Sequence, residues 1–125
     1  MNSVEVLFIG ERRSKSAVKR KVTWKDKALA SKQLHDALND AGFSGQIEPR
    51  FVNIVDRGAS TLIRDFKGYR VGMGAKVQLW LAKRGLVHIP LIHPAARGTI
   101  RKKERYAAHV AASLQHIVAT VANGF

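Results

Sequence analysis

The residue in this sequence that is best placed to do chemistry is His93, in the tripeptide Ile92-His93-Pro94. Residues 86–92 form an apolar run typical of a short buried strand, and Pro94 would end that strand and stiffen the following turn. The pattern therefore predicts a histidine held at the carboxyl end of a strand. In an open α/β sheet, the crevice outside those ends is where ligands bind.

Other residues that could contact a ligand lie at or just beyond the ends of predicted strands. Gly10-Glu11 follows the apolar run of residues 4–9, Trp24 lies in the next segment, and Asn53 interrupts a second apolar run. Each alone is explained by a place in the core or in a turn. Together they fit a nucleobase: an aromatic ring stacks on it, an Asn amide pairs with a pyrimidine edge, and a His donates to a base oxygen.

The charge of the chain predicts a polyanionic partner. Lys and Arg number 22 against nine Asp and Glu, which gives a formal net charge of +13. Neutralising phosphates releases condensed counterions and drives association, so we expect a nucleic acid, double- or single-stranded, as the partner. The residues expected to hold its phosphate backbone are Arg12, Arg13, Ser14, Lys15, Arg97, Arg101 and Lys102.

Several classes of protein and site are not expected. The chain has no cysteine, which excludes disulfides, cysteine zinc sites and thiolate-held iron–sulfur clusters. His88 and His93, five residues apart on one predicted strand, would project to opposite faces, so we expect no metal and no cofactor. No segment has the length of a transmembrane helix or the form of a signal peptide. These features predict a cytoplasmic, nucleoid-associated protein with no membrane partner, in the host cytoplasm if viral.

Two glycine-containing segments resemble phosphate-binding loops, but each lacks one glycine of its motif. Residues 72–77 open like a dinucleotide fingerprint, but Val77 replaces the third glycine, which favours a tight turn with close strand–helix packing. Gly10 and Lys15-Ser16 fit a P-loop that lacks its second glycine. A kinase or NTPase is therefore not expected.

The hydrophobic pattern predicts strands alternating with helices. Strands are expected at residues 4–9, 50–55, 69–73 and 86–92, and helices at residues 27–41, from Gly74 to residue 84, and at residues 102–122. A chain of 125 residues is long enough for one core, so we expect a single domain over residues 1–125, as a monomer. The predicted fold is α/β: three layers, α/β/α, around a four-stranded, mostly parallel sheet.

The order of these motifs resembles the uracil-DNA glycosylase superfamily, most closely its thermostable bacterial and archaeal branch. The resemblance covers nearly the whole chain as a succession of short motifs, and it implies the same α/β/α fold. The matching segments are Phe8-Ile-Gly-Glu11, Trp24 at fourteen residues after Gly10, Phe51-Val-Asn-Ile-Val55, Arg70-Val-Gly-Met-Gly-Ala75 and His93-Pro-Ala-Ala96.

The resemblance also implies a role for each matching residue. In that family the Gly-Glu motif opens the loop that holds the water and the sugar. The resemblance therefore implies that Glu11 orients or activates the water and that Gly10 lies beside the base. Trp24 stands where that branch has its base-stacking Phe, and Asn53 where the family reads uracil. The family's last motif contacts uracil O2 through its His, so His93 is expected to stabilise the charge that develops there.

The sequence departs from that family in four ways. Arg12-Arg13-Ser14 replaces the Ala-Pro-Gly of the first motif, Arg97 replaces a Leu wedge, the cluster cysteines are missing, and the link between Asn53 and His93 is shorter than in the family. We interpret the chain as a minimal, divergent glycosylase for uracil or a modified pyrimidine. Its compactness is typical of proteins from a phage or mobile element. Three alternatives stay open: a transferase acting on a modified pyrimidine in DNA, a catalytically inactive DNA-binding protein of this fold, and a nonspecific architectural DNA-binding protein.

Overall fold

Strands and helices alternate along the chain in a computed structural model, which describes residues 3–12, 19, 21, 30–43, 45–96 and 98–122. Within that part, four strands and four α-helices are present, and a 3-10 turn precedes the last helix. The elements are β1 (Val4–Gly10), α1 (Ala30–Asp40), β2 (Ile47–Asn53), α2 (Ala59–Asp65), β3 (Tyr69–Met73), α3 (Ala75–Lys83), β4 (Ile89–Leu91), the 3-10 turn (Thr99–Arg101) and α4 (Lys103–Ala122).

The four strands form one all-parallel sheet in the order β2-β1-β3-β4. All their carboxyl ends therefore meet at one side of the sheet, which we call the carboxyl edge. β1 and β3 are neighbours, but β1 leads to β2 on one side while β3 leads to β4 on the other. Such a switch point opens a crevice at the carboxyl edge.

Both faces of the sheet are covered, which confirms the predicted three-layer α/β/α fold. Side chains alternate along β1: Val6 and Phe8 pack with α1 and α4, whereas Leu7 and Ile9 pack with α2 and α3. The buried residues that the helices contribute to these cores include Leu34, Ala37, Leu38, Val77, Leu81, Val110, Leu114 and Ile117.

Two predicted strands differ from the observed ones in length. β2 begins at Ile47 and ends at Asn53, so Asn53 closes the strand, and Pro49 is tolerated because β2 is an edge strand. β4 has only three residues, Ile89–Leu91, because the residues before it end α3. Leu86 N–H donates to Leu81 O (3.1 Å) beyond Gly85 at φ 67°, which is a Schellman cap.

The sequence pattern also missed one helix and placed the end of another one residue too late. α2 has seven residues, of which only Ala59 and Ile63 are buried, so it carries almost no periodic signal. The predicted first helix extended over residues 27–41, whereas the described helix α1 is Ala30–Asp40 and residues 22–29 lie outside the described part. The last helix begins one residue later than predicted, after the 3-10 turn.

Candidate functional site

Glu11 directly follows β1 at the carboxyl edge. The ladder with β2 continues one step past the strands, since Ile54 N–H donates to Gly10 O (2.9 Å) and Val55 N–H to Glu11 O (3.4 Å). The Glu11 carboxylate lies 3.7 Å from the Lys76 ammonium, at the start of α3. Its side chain is therefore directed toward the β3–α3 turn, across the crevice between β1 and β3.

Asn53 is the last residue of β2 and pairs in register with Gly10. Only 5% of its surface is exposed, and it lies on the same face as Phe51, toward α1. Its backbone is fixed by Asp56, whose carboxylate accepts from Asn53 N–H and whose N–H donates to Asn53 O, both at 2.9 Å. A buried amide on a fixed backbone can recognise a ligand with little loss of conformational freedom.

His93 lies two residues beyond β4, against the β3–α3 turn. Its Cβ is 3.6 Å from the position that a Cβ on Gly74 would occupy, and Gly74 has φ +92°, where other residues are strained. Burial lowers the pKa of His93, while the Glu11 carboxylate acts in the opposite direction. Nδ1 accepts from Ala95 N–H at 3.0 Å, so the neutral ring carries its proton on Nε2.

The crevice thus brings together the predicted residues Gly10, Glu11 and His93. Asn53 shares the carboxyl edge but ends the strand on the far side of β1. Two strands, β1 and β3, lie between the strands that end at Asn53 and just before His93. Lys76, which sequence reasoning did not single out, adds a cation to the crevice; its place just after a strand-ending Gly-Met-Gly turn was the available signal.

A second feature that sequence reasoning missed is a pair of α4 side chains bound to the backbone of Ile92, which we call the Ile92 clamp. Tyr106 donates its hydroxyl to Ile92 O at 2.7 Å. Ile92 N–H in turn donates to Nε2 of His109 at 2.9 Å. The only sequence signal is that Tyr106 and His109 are three residues apart on the helix, beside the buried Val110.

The predicted DNA contacts are described only in part. Arg12, Arg101 and Lys102 are exposed. The 3-10 turn that carries Arg101 is fixed to α1, since the Gln33 side chain donates to Arg101 O at 3.0 Å. Arg13, Ser14, Lys15 and Arg97, together with the predicted stacking residue Trp24, lie outside the described residues.

The glycine segment at residues 72–77 is a packed turn, as its sequence favoured. A Cβ on Gly72 would lie 3.0 Å from Leu81 Cδ1 and 3.2 Å from His88 Cδ2, so β3 lies directly against α3. Among the described residues, no group of three or more His, Cys, Asp or Glu side chains could hold a metal ion.

No protein-family model, curated protein or solved structure matches this chain. In the described part of the chain, no helix combines the length and the apolar character needed to cross a membrane. The geometry and charge of the carboxyl edge are therefore the features that bear on function.

Proposed function

We propose that this protein is a base-flipping DNA glycosylase of the uracil-DNA glycosylase type, which hydrolyses the N-glycosidic bond of uracil or a modified pyrimidine. The observation that carries the proposal is that Glu11 and His93 both lie against the β3–α3 turn, Glu11 at 3.7 Å from Lys76 and His93 beside Gly74, with the buried Asn53 at the same edge of the sheet. These are the side-chain types needed for a water, a departing base oxygen and a pyrimidine edge.

His93 would stabilise the departing base. When the glycosidic bond breaks, its electron pair moves to the pyrimidine and charge accumulates on O2. A neutral imidazole with its proton on Nε2 can donate a hydrogen bond to that oxygen, as an oxyanion-hole donor does. The Ala95 N–H that occupies Nδ1 and the burial that lowers the pKa of His93 both favour this form of the ring.

Glu11 and Asn53 would act on the water and on the base. The Glu11 carboxylate would orient the water that attacks the sugar carbon C1′ and accept its proton, which then passes to the released base. The Asn53 amide would accept from the pyrimidine N3–H and donate to O4, reading its Watson–Crick edge. Trp24 would stack on the flipped ring.

Cations around the edge would hold the phosphates. Arg12, Arg101 and Lys102 are exposed on the side of the sheet that carries the crevice, and the chain has a formal charge of +13. A phosphate near Glu11 would compete for Lys76, which lies only 3.7 Å from that carboxylate. DNA binding would then release Glu11 for the water.

The proposal is tested with labelled oligonucleotides that carry uracil, hypoxanthine, xanthine or hydroxymethyluracil, followed by alkali to cut abasic sites. We expect cleavage at one pyrimidine, a rate about 10²- to 10³-fold lower in His93→Ala, and no cleavage in Asn53→Ala. His88→Ala is the control, since it removes an imidazole that lies before β4 and bonds to Leu86 O. Equal losses in His88→Ala and His93→Ala would contradict the role of His93.

A second candidate is a DNA-binding protein of this architecture without catalysis. The observation that favours it is the pairing of Glu11 Oε2 with two cations, Lys76 at 3.7 Å and Arg12 at 4.0 Å, because a paired carboxylate is a poor acceptor for a water proton. The same assay separates the candidates. Tight binding without cleavage of any of the four substrates would favour this candidate and exclude the glycosylase.

A further inference from the structure

Ile92 is a loop residue whose two backbone polar groups are both taken up by side chains of α4. It follows the last residue of β4 and keeps 40% of its surface exposed. Loop backbone at a surface is ordinarily satisfied by water. Here Ile92 O accepts from the Tyr106 hydroxyl at 2.7 Å and Ile92 N–H donates to His109 Nε2 at 2.9 Å.

These two bonds fix the two peptide planes that lead into His93. The carbonyl of Ile92 and the N–H of His93 belong to one planar peptide group, so the Tyr106 hydroxyl orients the unit that carries His93. Nε2 of His109 orients the preceding plane. With both planes fixed, the φ and ψ angles of Ile92 have little freedom, and the Ala95 N–H then sets the ring of His93 itself.

Both clamp side chains are held in the form that the clamp requires. Tyr106 is 1% exposed, and burial raises its pKa, so its hydroxyl remains a donor. Burial lowers the pKa of His109, which keeps Nε2 available as an acceptor. The rings of the two residues are in contact, with centroids 5.9 Å apart, so each limits the rotation of the other.

We propose that Tyr106 and His109 are positioning residues for His93, setting the direction of its Nε2–H through the backbone of Ile92. The inference rests on the proposed function for what His93 does, but the geometry it describes can be measured without any reaction. Their hydrogen bonds are to the backbone of Ile92, so they would act through the peptide groups on the amino side of His93.

The test uses the full chain and combines two measurements. NMR reports the protonation of the histidine rings, and steady-state kinetics report the release of the base that the wild-type protein cleaves. Tyr106→Phe removes only the hydroxyl, and His109→Leu removes the acceptor. His109→Gln supplies an amide oxygen that can accept from Ile92 N–H. Val110→Ala is the matched control, since Val110 is a fully buried neighbour on the same helix that packs in the core.

We expect the ring nitrogen shifts of His93 to move from a pure Nε2–H tautomer toward a mixture in Tyr106→Phe and His109→Leu. In both variants kcat should fall about 10- to 100-fold with little change in KM, since misplacing a reacting group acts on the transition state. His109→Gln should restore both readouts. Val110→Ala should lower Tm and leave the His93 nitrogen shifts unchanged.

Unchanged nitrogen shifts in Tyr106→Phe and His109→Leu would overturn the proposal, as would an equal movement in Val110→Ala. The proposed function fails separately. If the wild-type protein cleaves none of the bases, the glycosylase is excluded, while the His93 nitrogen shifts still decide whether Tyr106 and His109 position this residue.

Discussion

At the scale of single residues, the protonation of His93 is determined by two neighbours that act in opposite directions. An imidazolium would direct an Nδ1–H at the Ala95 N–H, which now donates to that nitrogen at 3.0 Å. Burial disfavours the charged ring as well. The Glu11 carboxylate favours the charged ring, but burial is the larger cause, so the pKa of His93 lies below its ordinary value of 6.5.

The lowered pKa of His93 predicts that stability is lost as the pH falls. Between the folded pKa and 6.5, the unfolded chain binds more protons than the folded one, so the free energy of unfolding rises with pH there. The stabilisation is complete above about pH 6.5 and is lost below it. Urea unfolding from pH 7.5 to pH 5 should show a shallower pH dependence in His93→Gln than in wild type.

His109 provides the comparison for this pH prediction. Burial also lowers its pKa, so part of the pH dependence should persist in His93→Gln and disappear in the double variant with His109→Gln. An NMR titration of the His93 ring measures its pKa directly. A midpoint above 6.5, or identical slopes for wild type and His93→Gln, would contradict the argument.

At the scale of elements, side-chain hydrogen bonds help to hold the short strand β4 in the sheet. It has three residues, and its Pro90 offers no N–H to a neighbour. The Gln78 side chain on α3 donates to both Gly72 O and Leu91 O, each at 3.2 Å, so it joins the ends of β3 and β4. Gly74 N–H also donates to Leu91 O, at 2.9 Å.

Replacing Gln78 should therefore loosen the carboxyl end of β4 before the rest of the sheet. Gln78→Leu removes two hydrogen bonds and should lower the free energy of unfolding by about 1–2 kcal/mol. Hydrogen exchange at the Gly74 amide should accelerate more than at Phe8, in the centre of the sheet. Gln46→Leu, which removes one bond to Gly42 O in a distant turn, is the control. Equal acceleration at Gly74 and Phe8 in Gln78→Leu would indicate global destabilisation alone.

The same elements show what the sequence could and could not predict. β1 is an apolar run whose side chains face two cores, and β3 ends in the buried residues Val71, Gly72 and Met73; the bounds of both strands were predicted to within a residue. β4 was predicted too long because Leu86 is apolar for a different reason: it takes part in the cap of α3 and packs against the core cluster that contains Ile63. The carboxyl-edge positions of Glu11 and Asn53 follow from their places at the ends of parallel strands, which the alternation of strands and helices predicts. The order of the strands in the sheet was not predicted.

The Ile92 clamp lay beyond sequence reasoning for a physical reason. Its bonds join side chains of α4 to the backbone of a residue 14 and 17 positions earlier, and backbone acceptors carry no residue identity. A helical pattern shows that Tyr106 faces inward, but not that its hydroxyl meets a carbonyl. The sequence alone therefore does not distinguish whether His109 is packed in the core or exposed to solvent.

At the scale of the whole molecule, the positive charge is paired unevenly. Several carboxylates are paired with cations, as in Lys32–Asp36 at 2.8 Å, Arg50–Glu5 at 3.0 Å and Lys103–Asp40 at 3.8 Å. Arg101 and Lys102, which follow the His93 loop, pair with no carboxylate among the described residues. Cations without such partners are the ones that can exchange counterions for phosphates.

The position of these cations predicts how DNA binding should depend on salt. Each phosphate contact contributes about −0.9 to the slope of log K against log salt for duplex DNA, so replacing Arg101 and Lys102 with Ala should make the slope shallower by about 2. The control double variant, Lys67→Ala with Lys83→Ala, removes the same charge from the residues just before β3 and at the end of α3, which are the ends that lie away from the β3–α3 turn. Because both double variants have the same net charge, only position distinguishes them. Equal slopes would show that the protein binds through its overall charge, whereas a change confined to Arg101 and Lys102 would locate the DNA beside His93.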